Sequence, residues 1–152
     1  MHVHWLLKKF TELSPEELYA ILQLRNEVFV VEQNCVFQDA DDKDQPSYHF
    51  MCFNDQYKLV AYTRLVPAGV SYDEISIGRV VTSPSARSTG LGKELMNRSI
   101  EAIFGLYGKQ DIRIGAQFYL KKFYSGFGFE QVSDIYLEDG IEHIYMIRKS
   151  DS

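Results

Sequence analysis

The sequence has little cysteine, no excess of basic charge and no long apolar run, and each shortage excludes something. No stretch approaches the ~20 apolar residues that a membrane-spanning helix needs. The opening segment MHVHWLLKKF is too short in its apolar part to be expected as a secretion signal. The only cysteines are Cys35 and Cys52, without metal-ligand spacing. Both sit beside apolar neighbours and are expected to be buried free thiols in a reducing, cytoplasmic setting, a disulfide between them being the alternative. Net charge is −5, which argues against a non-specific nucleic-acid binder, whose footprint is basic, and is compatible with a cationic substrate. No repeat, linker or low-complexity run interrupts the chain. Its 152 residues are expected to form one domain over 1–152, able to bury roughly 70% of the unfolded surface without a metal or disulfide.

What is present alternates strand and helix patterns, giving a mixed α/β fold class. Val3 to Phe10 reads as a strand. Ser14-Pro15-Glu16-Glu17 has the form of a helix start, with Ser14 as N-cap and Glu17 closing a capping box. Leu18, Ile21, Leu22, Arg25, Val28 and Phe29 continue at helical spacing, with Arg25 on or near the inner face. Phe37 to Pro46 carries Asp39, Asp41, Asp42 and Asp44; it lacks the glycine and glutamate of a calcium loop, so a solvated acidic loop is expected. Tyr48 to Phe53 and Lys58 to Leu65 read as a hairpin turning at Asn54-Asp55. A second long helix runs from Leu91 toward Gly108. Ile112 to Ala116 is a short strand, and Gln117 to Ser125 a third helix stopped by Gly126. Phe127 to Tyr136 holds a further strand. Glu138-Asp139-Gly140 makes a turn before a last strand, Ile144 to Ile147.

The most informative stretch is Glu74 to Leu95, EISIGRVVTSPSARSTGLGKEL. A β-branched strand ends at Pro84 and passes through Arg87-Ser88-Thr89-Gly90-Leu91-Gly92 into a helix. Free amides and the positive end of the helix dipole at such a junction suit an anion, and Gly90 and Gly92 leave room for close approach. Further on, Phe123-Tyr124 is followed by Gly128-Phe129. Taken with Arg87, Gly90 and Gly92, these residues resemble the GNAT acetyltransferase superfamily. Leu24-Arg25-Asn26-Glu27-Val28-Phe29, Ile77-Gly78-Arg79-Val80-Val81 and Glu138 to Ile144 resemble its ElaA-like branch. The chain departs from that branch at Phe118 and Tyr119, where a His is usual nearby, and at Ser88, where Gly is common.

The resemblance implies a GNAT acyl-CoA N-acyltransferase fold, a mostly antiparallel sheet splayed at its centre and flanked by helices. It implies acetyl-CoA as cosubstrate, no metal, and transfer of acetyl to a primary amine, on a small molecule or peptide, by direct attack in a ternary complex. The strand Ile75 to Thr82 would carry a bulge and splay from Ile112 to Ala116. Backbone at Val80 and Val81 would bind the pantetheine and polarise the thioester. Arg87 and the amides from Ser88 through Thr89, Gly90, Leu91 and Gly92 to Lys93 would take the pyrophosphate. Tyr124 would supply the leaving thiolate with a proton. On the acceptor side the resemblance brings forward Glu32, Gln33, Asp139 and His143. Glu32 follows the apolar Val28 to Val31, so burial is expected to raise its pKa toward that of a base; His49 and His143 otherwise read as structural. Such domains also pair through a late strand. The alternatives within reach are a CoA-binding sensor without catalysis and an acyltransferase of the acyl-homoserine-lactone synthase type.

Overall fold

Two strands near the middle of the chain, β2 (Tyr48–Asn54) and β3 (Leu59–Val66), are buried on both faces, and the reason is their position. In the computed structural model, which describes residues 2–151, they lie inside a sheet covered by helices on both sides. The remaining strands are β1 (Val3–Lys9), β4 (Ile75–Thr82), β5 (Ile112–Gln117), β6 (Phe129–Gln131), β7 (Tyr136–Glu138) and β8 (Ile141–Arg148). Their order is β1-β2-β3-β4-β5-β8-β6, with β7 also on β8. Every pairing is antiparallel except β4 with β5.

Helix α1 (Pro15–Arg25) covers one face; α2 (Leu91–Tyr107) and the short α3 (Lys121–Ser125) cover the other. Strand alternation assigns the side chains: Met51 and Phe53 pack with Ile21 and Leu24 of α1, whereas Phe50 and Cys52 pack with Leu91 and Leu95 of α2. The largest cluster joins Ile75, Ile77, Ile112, Ile114, Ile144 and Met146 of the sheet to Met96, Ile100 and Ile103 of α2. The capping box is formed as expected: the Glu17 amide donates to Ser14 Oγ at 3.1 Å, and the Ser14 amide to Glu17 at 2.8 Å. His49 is structural, fully buried between the Tyr62 hydroxyl at 2.6 Å and the Asp44 carbonyl at 2.8 Å. Both cysteines are free and buried.

Several elements differ from the sequence reading. The first helix does not continue to Phe29 as an α-helix; Asn26–Glu32 is π-helical, with the Gln33 amide reaching back to the Val28 carbonyl at 3.1 Å. The wider turn rotates Phe29, Glu32 and Gln33 onto the wall of a cavity. The third helix is a 3₁₀ turn, Phe118–Leu120, before α3. Gly126 keeps a right-handed conformation, and the left-handed glycine is Gly128, φ 94°. The strand expected over Phe127 to Tyr136 is split into β6 and β7. Ser133 interrupts it by accepting from the Tyr145 amide at 2.9 Å, while Gln131 Nε2 donates to the Ser133 carbonyl at 2.7 Å.

The largest correction concerns the acidic loop: Asp42 is exposed as expected, but Asp39, Asp41 and Asp44 turn inward. Asp39 and Asp44 are buried with Arg25 and Arg64. Arg25 Nη1 donates to Asp44 at 2.7 Å and Arg64 Nη1 to the same oxygen at 2.9 Å. Arg64 also holds Asp41 through two bonds of 2.7 and 2.8 Å. Arg25 Nε lies 2.8 Å from Asp39 Oδ2, a close charge contact rather than an aligned hydrogen bond. Burial by itself would raise the pKa of Asp44, but the hydrogen bonds and charges of Arg25 and Arg64 outweigh it and hold the carboxyl below its ordinary value.

Removing one partner from such a network strands the others. Asp44→Asn should destabilise the fold by about 3–5 kcal/mol in urea unfolding at pH 7. A carboxyl with a depressed folded pKa contributes its full stability above the unfolded value, about 3.9, and loses it as pH falls through the folded value. The wild type should therefore keep that contribution from pH 7 down to about 4 and lose it only below, a decline that the Asn variant should lack in part.

Candidate active site

The parallel pair β4 and β5 is the source of the site. It is joined only at Ile75 with Ile112 and at Ser76 with Arg113, and beyond these residues the strands part. β4 also carries a bulge: Tyr62 of β3 faces Val81 while Arg64 faces Gly78, so an extra residue is accommodated between them. Arg79 takes it up with a left-handed φ of 50°. Its guanidinium is held by the acidic loop, Nε on Asp39 Oδ1 at 2.9 Å and Nη2 on the Asp39 carbonyl at 3.0 Å.

A cavity of about 840 Å³ fills the gap. Val80, Val81 and Thr82 form one wall and Ile114, Gly115 and Gln117 the other. Tyr124, Phe123 and Gly92 close it from the α2–α3 side. Glu32, Gln33, Tyr72, Asp139 and His143 line it on the opposite side of the sheet. The residues singled out in the sequence as lining one site are thus brought together, except that Leu91 turns its side chain into the core. Ser88, Thr89 and Gly90 instead form the exposed turn before α2, and Lys93 is exposed in its first turn.

That loop has the form of an anion cradle. Ser88 and Gly90 both take positive φ, 65° and 83°. The first value explains why a glycine is at home at the Ser88 position. Thr89 Oγ1 donates to the Ala86 carbonyl at 2.6 Å and braces the turn. Among the described residues, no acceptor is bonded to the backbone amides from Ser88 to Lys93. A helix of 17 residues starts behind them, so the positive end of its dipole is exposed together with the free N–H groups.

Tyr124 is buried, in edge contact with Phe123 and Phe129. Burial, with a smaller effect from Tyr119, pushes its pKa well above the ordinary phenol value, so it carries its proton at neutral pH. Glu32 corrects the expectation made for it. It is exposed rather than buried, and its carboxylate is paired with Arg87, Oε2 accepting from Nη1 at 2.7 Å. The Arg87 hydrogen bond holds its pKa below the usual value, which is opposite to what a base requires. Gln33 accepts from Gln117 Nε2 at 3.1 Å, and the Asp139 carbonyl receives the Cys35 thiol at 3.4 Å. The sequence reading missed Gly115, Tyr72 and Gln117. An isolated glycine inside a strand was the available signal for the first.

Residues 11–150 match the family model of the acetyltransferase (GNAT) domain. The chain is 42% identical over 147 residues to a UPF0039 protein of Synechocystis, covering 97% of this chain and 96% of that one. It is 39% identical over 149 residues to Protein ElaA of Escherichia coli, with 97% of each covered. Among solved structures, an acyl-CoA N-acyltransferase from Pseudomonas aeruginosa superposes with a TM-score of 0.92 at 42% identity, covering 97% and 99% of the two chains. Escherichia coli ElaA does so at 0.91 and 38% identity, covering 97% and 100%. An aminoglycoside 6'-N-acetyltransferase complexed with coenzyme A shares the fold alone, with a TM-score of 0.69 at 15% identity, covering 95% and 97%.

Two glycines of the cavity make opposite demands. A Cβ on Gly92 would meet Thr82 and Phe123 at 3.9 and 4.0 Å, ordinary contacts. A Cβ on Gly115 would lie 3.0 Å from the hydroxyls of both Tyr72 and Tyr136, whose rigid rings would have to move. In thermal or urea unfolding, Gly115→Ala should cost about 1–3 kcal/mol, the range for overpacking. Gly92→Ala should be neutral or gain up to about 1 kcal/mol from helix propensity.

Proposed function

We propose that this chain, which belongs to the GNAT acetyltransferase family, transfers an acetyl group from acetyl-CoA to a primary amine by direct attack within a ternary complex. The observation that supports this best is the junction of β4 with α2. A row of unbonded amides, Ser88 to Lys93, stands at the mouth of a gap whose other end is bounded by a bulged strand and a buried, protonated tyrosine. The fit to an acyl-CoA is specific in its parts. The amides and the α2 dipole suit a pyrophosphate without a metal. The edges of β4 and β5 left unpaired beyond Ser76 and Arg113 suit an amide-bearing arm that bonds like an added strand. Bound acetyl-CoA supplies an activated thioester.

The chain's own groups divide the remaining work. Backbone N–H at Val80 or Val81, turned by the bulge, polarises the thioester carbonyl. The Tyr124 hydroxyl gives a proton to the departing thiolate as the C–S bond breaks and the new C–N bond forms. Arg87 binds the pyrophosphate only by exchanging its Glu32 partner for phosphate oxygens, both being acceptors suited to its planar fork. Glu32, Gln33, Asp139 and His143 face the acceptor; Glu32 serves there as an anionic contact for an ammonium once Arg87 is engaged elsewhere, not as the base. The acceptor is a primary amine on a small molecule or a peptide.

The direct test incubates the protein with acetyl-CoA and a panel of amines and reads free thiol; release that depends on the amine is expected, and none with any amine would sink the reading. Gly90→Asp places a carboxylate at a left-handed position in the cradle, so affinity for CoA in calorimetry should be abolished while stability falls by about 1 kcal/mol. Unchanged CoA affinity in the folded variant would remove the cradle assignment. Tyr124→Phe keeps the ring and its packing but loses the proton. Its kcat should fall roughly 10²-fold with CoA affinity nearly unchanged, and a wild-type rate would return Tyr124 to the core.

A further inference from the structure

His143 is arranged as a proton acceptor rather than as core filling. It sits on β8 directly across from Gln117 of β5, on the face of the sheet that carries Gly115 and away from Tyr124. Its side chain is only 9% exposed, and that exposure opens into the cavity. Nδ1 lies 2.8 Å from the Ile141 carbonyl, an acceptor with no hydrogen to give, so Nδ1 carries the proton and donates it there. Nε2 is therefore the nitrogen with the free lone pair. It lies 3.4 Å from Glu138 Oε2, so a proton arriving on Nε2 completes an ion pair with that carboxylate. The ring is positioned by Tyr136, tilted by 30° at 5.7 Å between centroids. A tautomer fixed from behind, in a ring that lines a cavity and has a carboxylate beside its other nitrogen, is the form of a general base.

The surroundings also select the incoming group. Beside the imidazole are Glu138, the Tyr136 ring and the neutral Gln117 on β5; Asp139 and the Cys35 thiol bonded to its carbonyl line the same cavity. Of the other carboxylates lining the cavity, Asp41 is paired with Arg64 and Arg79, and Glu32 with Arg87 as long as no phosphate takes that arginine. Glu138 and Asp139 are without an arginine or lysine partner among the described residues, so this corner draws a cation.

We propose that His143 is the general base of the reaction, taking a proton from the acceptor ammonium directly or through one water, with Glu138 stabilising the imidazolium; this rests on the acetyl-transfer reading above. The ammonium gives its first proton to Nε2, which releases it to solvent past Glu138. The neutral amine then attacks the thioester carbon. As the C–N bond forms and the C–S bond breaks, the second proton passes from nitrogen to solvent, while Tyr124 protonates the thiolate and regains its own proton from solvent.

The test is His143→Asn, whose amide can still donate to the Ile141 carbonyl while the Nε2 position is deleted. Wild type and variant are compared in melting temperature, CoA affinity and the pH dependence of kcat/KM, with two acceptors, one amine mostly protonated at pH 7 and one mostly neutral. With Tm and CoA affinity unchanged, kcat for the protonated acceptor should fall on the order of 10²–10⁴-fold and the acidic limb of its profile should disappear. The neutral acceptor should lose far less, because its proton is already gone. Glu138→Gln should weaken the protonated acceptor more than the neutral one, in the same sense but to a smaller extent. Equal losses with both acceptors, or an unchanged pH profile in the folded variant, would overturn the assignment. Wild-type protein without amine-dependent thiol release would instead overturn the acetyl-transfer reading on which it rests.

Discussion

The ion-pair network between the acidic loop and three arginines is the constraint on which the rest of the site depends. Arg25 ends α1, Arg64 lies within β3, and Arg79 is the bulged residue of β4. Asp39, Asp41 and Asp44 tie them together within one loop. A non-glycine residue at φ 50° in a strand is strained. It persists because its guanidinium is bonded to a loop that is itself fixed by two nearly buried arginines. The bulge in turn sets where the Val80 and Val81 amides point. A network of this kind contributes little net stability against an apolar replacement of the same shape. What it supplies here is position: it joins the end of α1, the acidic loop and the bulged stretch of β4 into one rigid piece.

The splay of β4 from β5 then separates two chemistries by a single sheet. On the α2–α3 side lie the free amides at the start of α2 and the buried hydroxyl of Tyr124, both of them hydrogen-bond donors. On the α1 side lie His143, Glu138 and Asp139, suited to a cation that must lose a proton. Side-chain alternation along β5 makes the division sharp. Ile112, Ile114 and Ala116 belong to the core under α2, whereas Gly115 and Gln117 face the acceptor side. The Glu32–Arg87 pair links the end of the π turn on the α1 side to the turn that precedes α2.

Much of this was legible in the residues themselves because the signals are local. The capping box at Ser14 and Glu17, the hairpin at Asn54-Asp55, the apolar stripe of α2 and the glycine-bearing turn before it each involve residues a few positions apart, and the structure has them as read. Gly90 at φ 83° is a backbone requirement written directly in the sequence. The order of elements and the motif pair at Arg87–Gly92 and Phe123–Tyr124 were enough to place the chain in its family and to bring Tyr124 and the turn at Asp139 into one site.

What the sequence by itself determined is therefore the capped start of α1, the hairpin, the apolar stripe of α2 and the glycine turn before it, each encoded within one or two turns of chain. Tertiary structure decided the charges. Asp39, Asp41 and Asp44 looked like a solvated run because their partners stand 14 to 40 residues away. Glu32 looked buried because its neighbours are apolar, yet a π turn rotates it out to an arginine 55 residues distant. Gly115, a lone glycine in a strand, signalled a close approach but not that two tyrosine hydroxyls make it from other strands and loops. A carboxylate's environment is set by which opposite charges the fold brings within a few ångströms, and a 1/r interaction between distant parts of the chain leaves no periodic or short-range trace in the sequence.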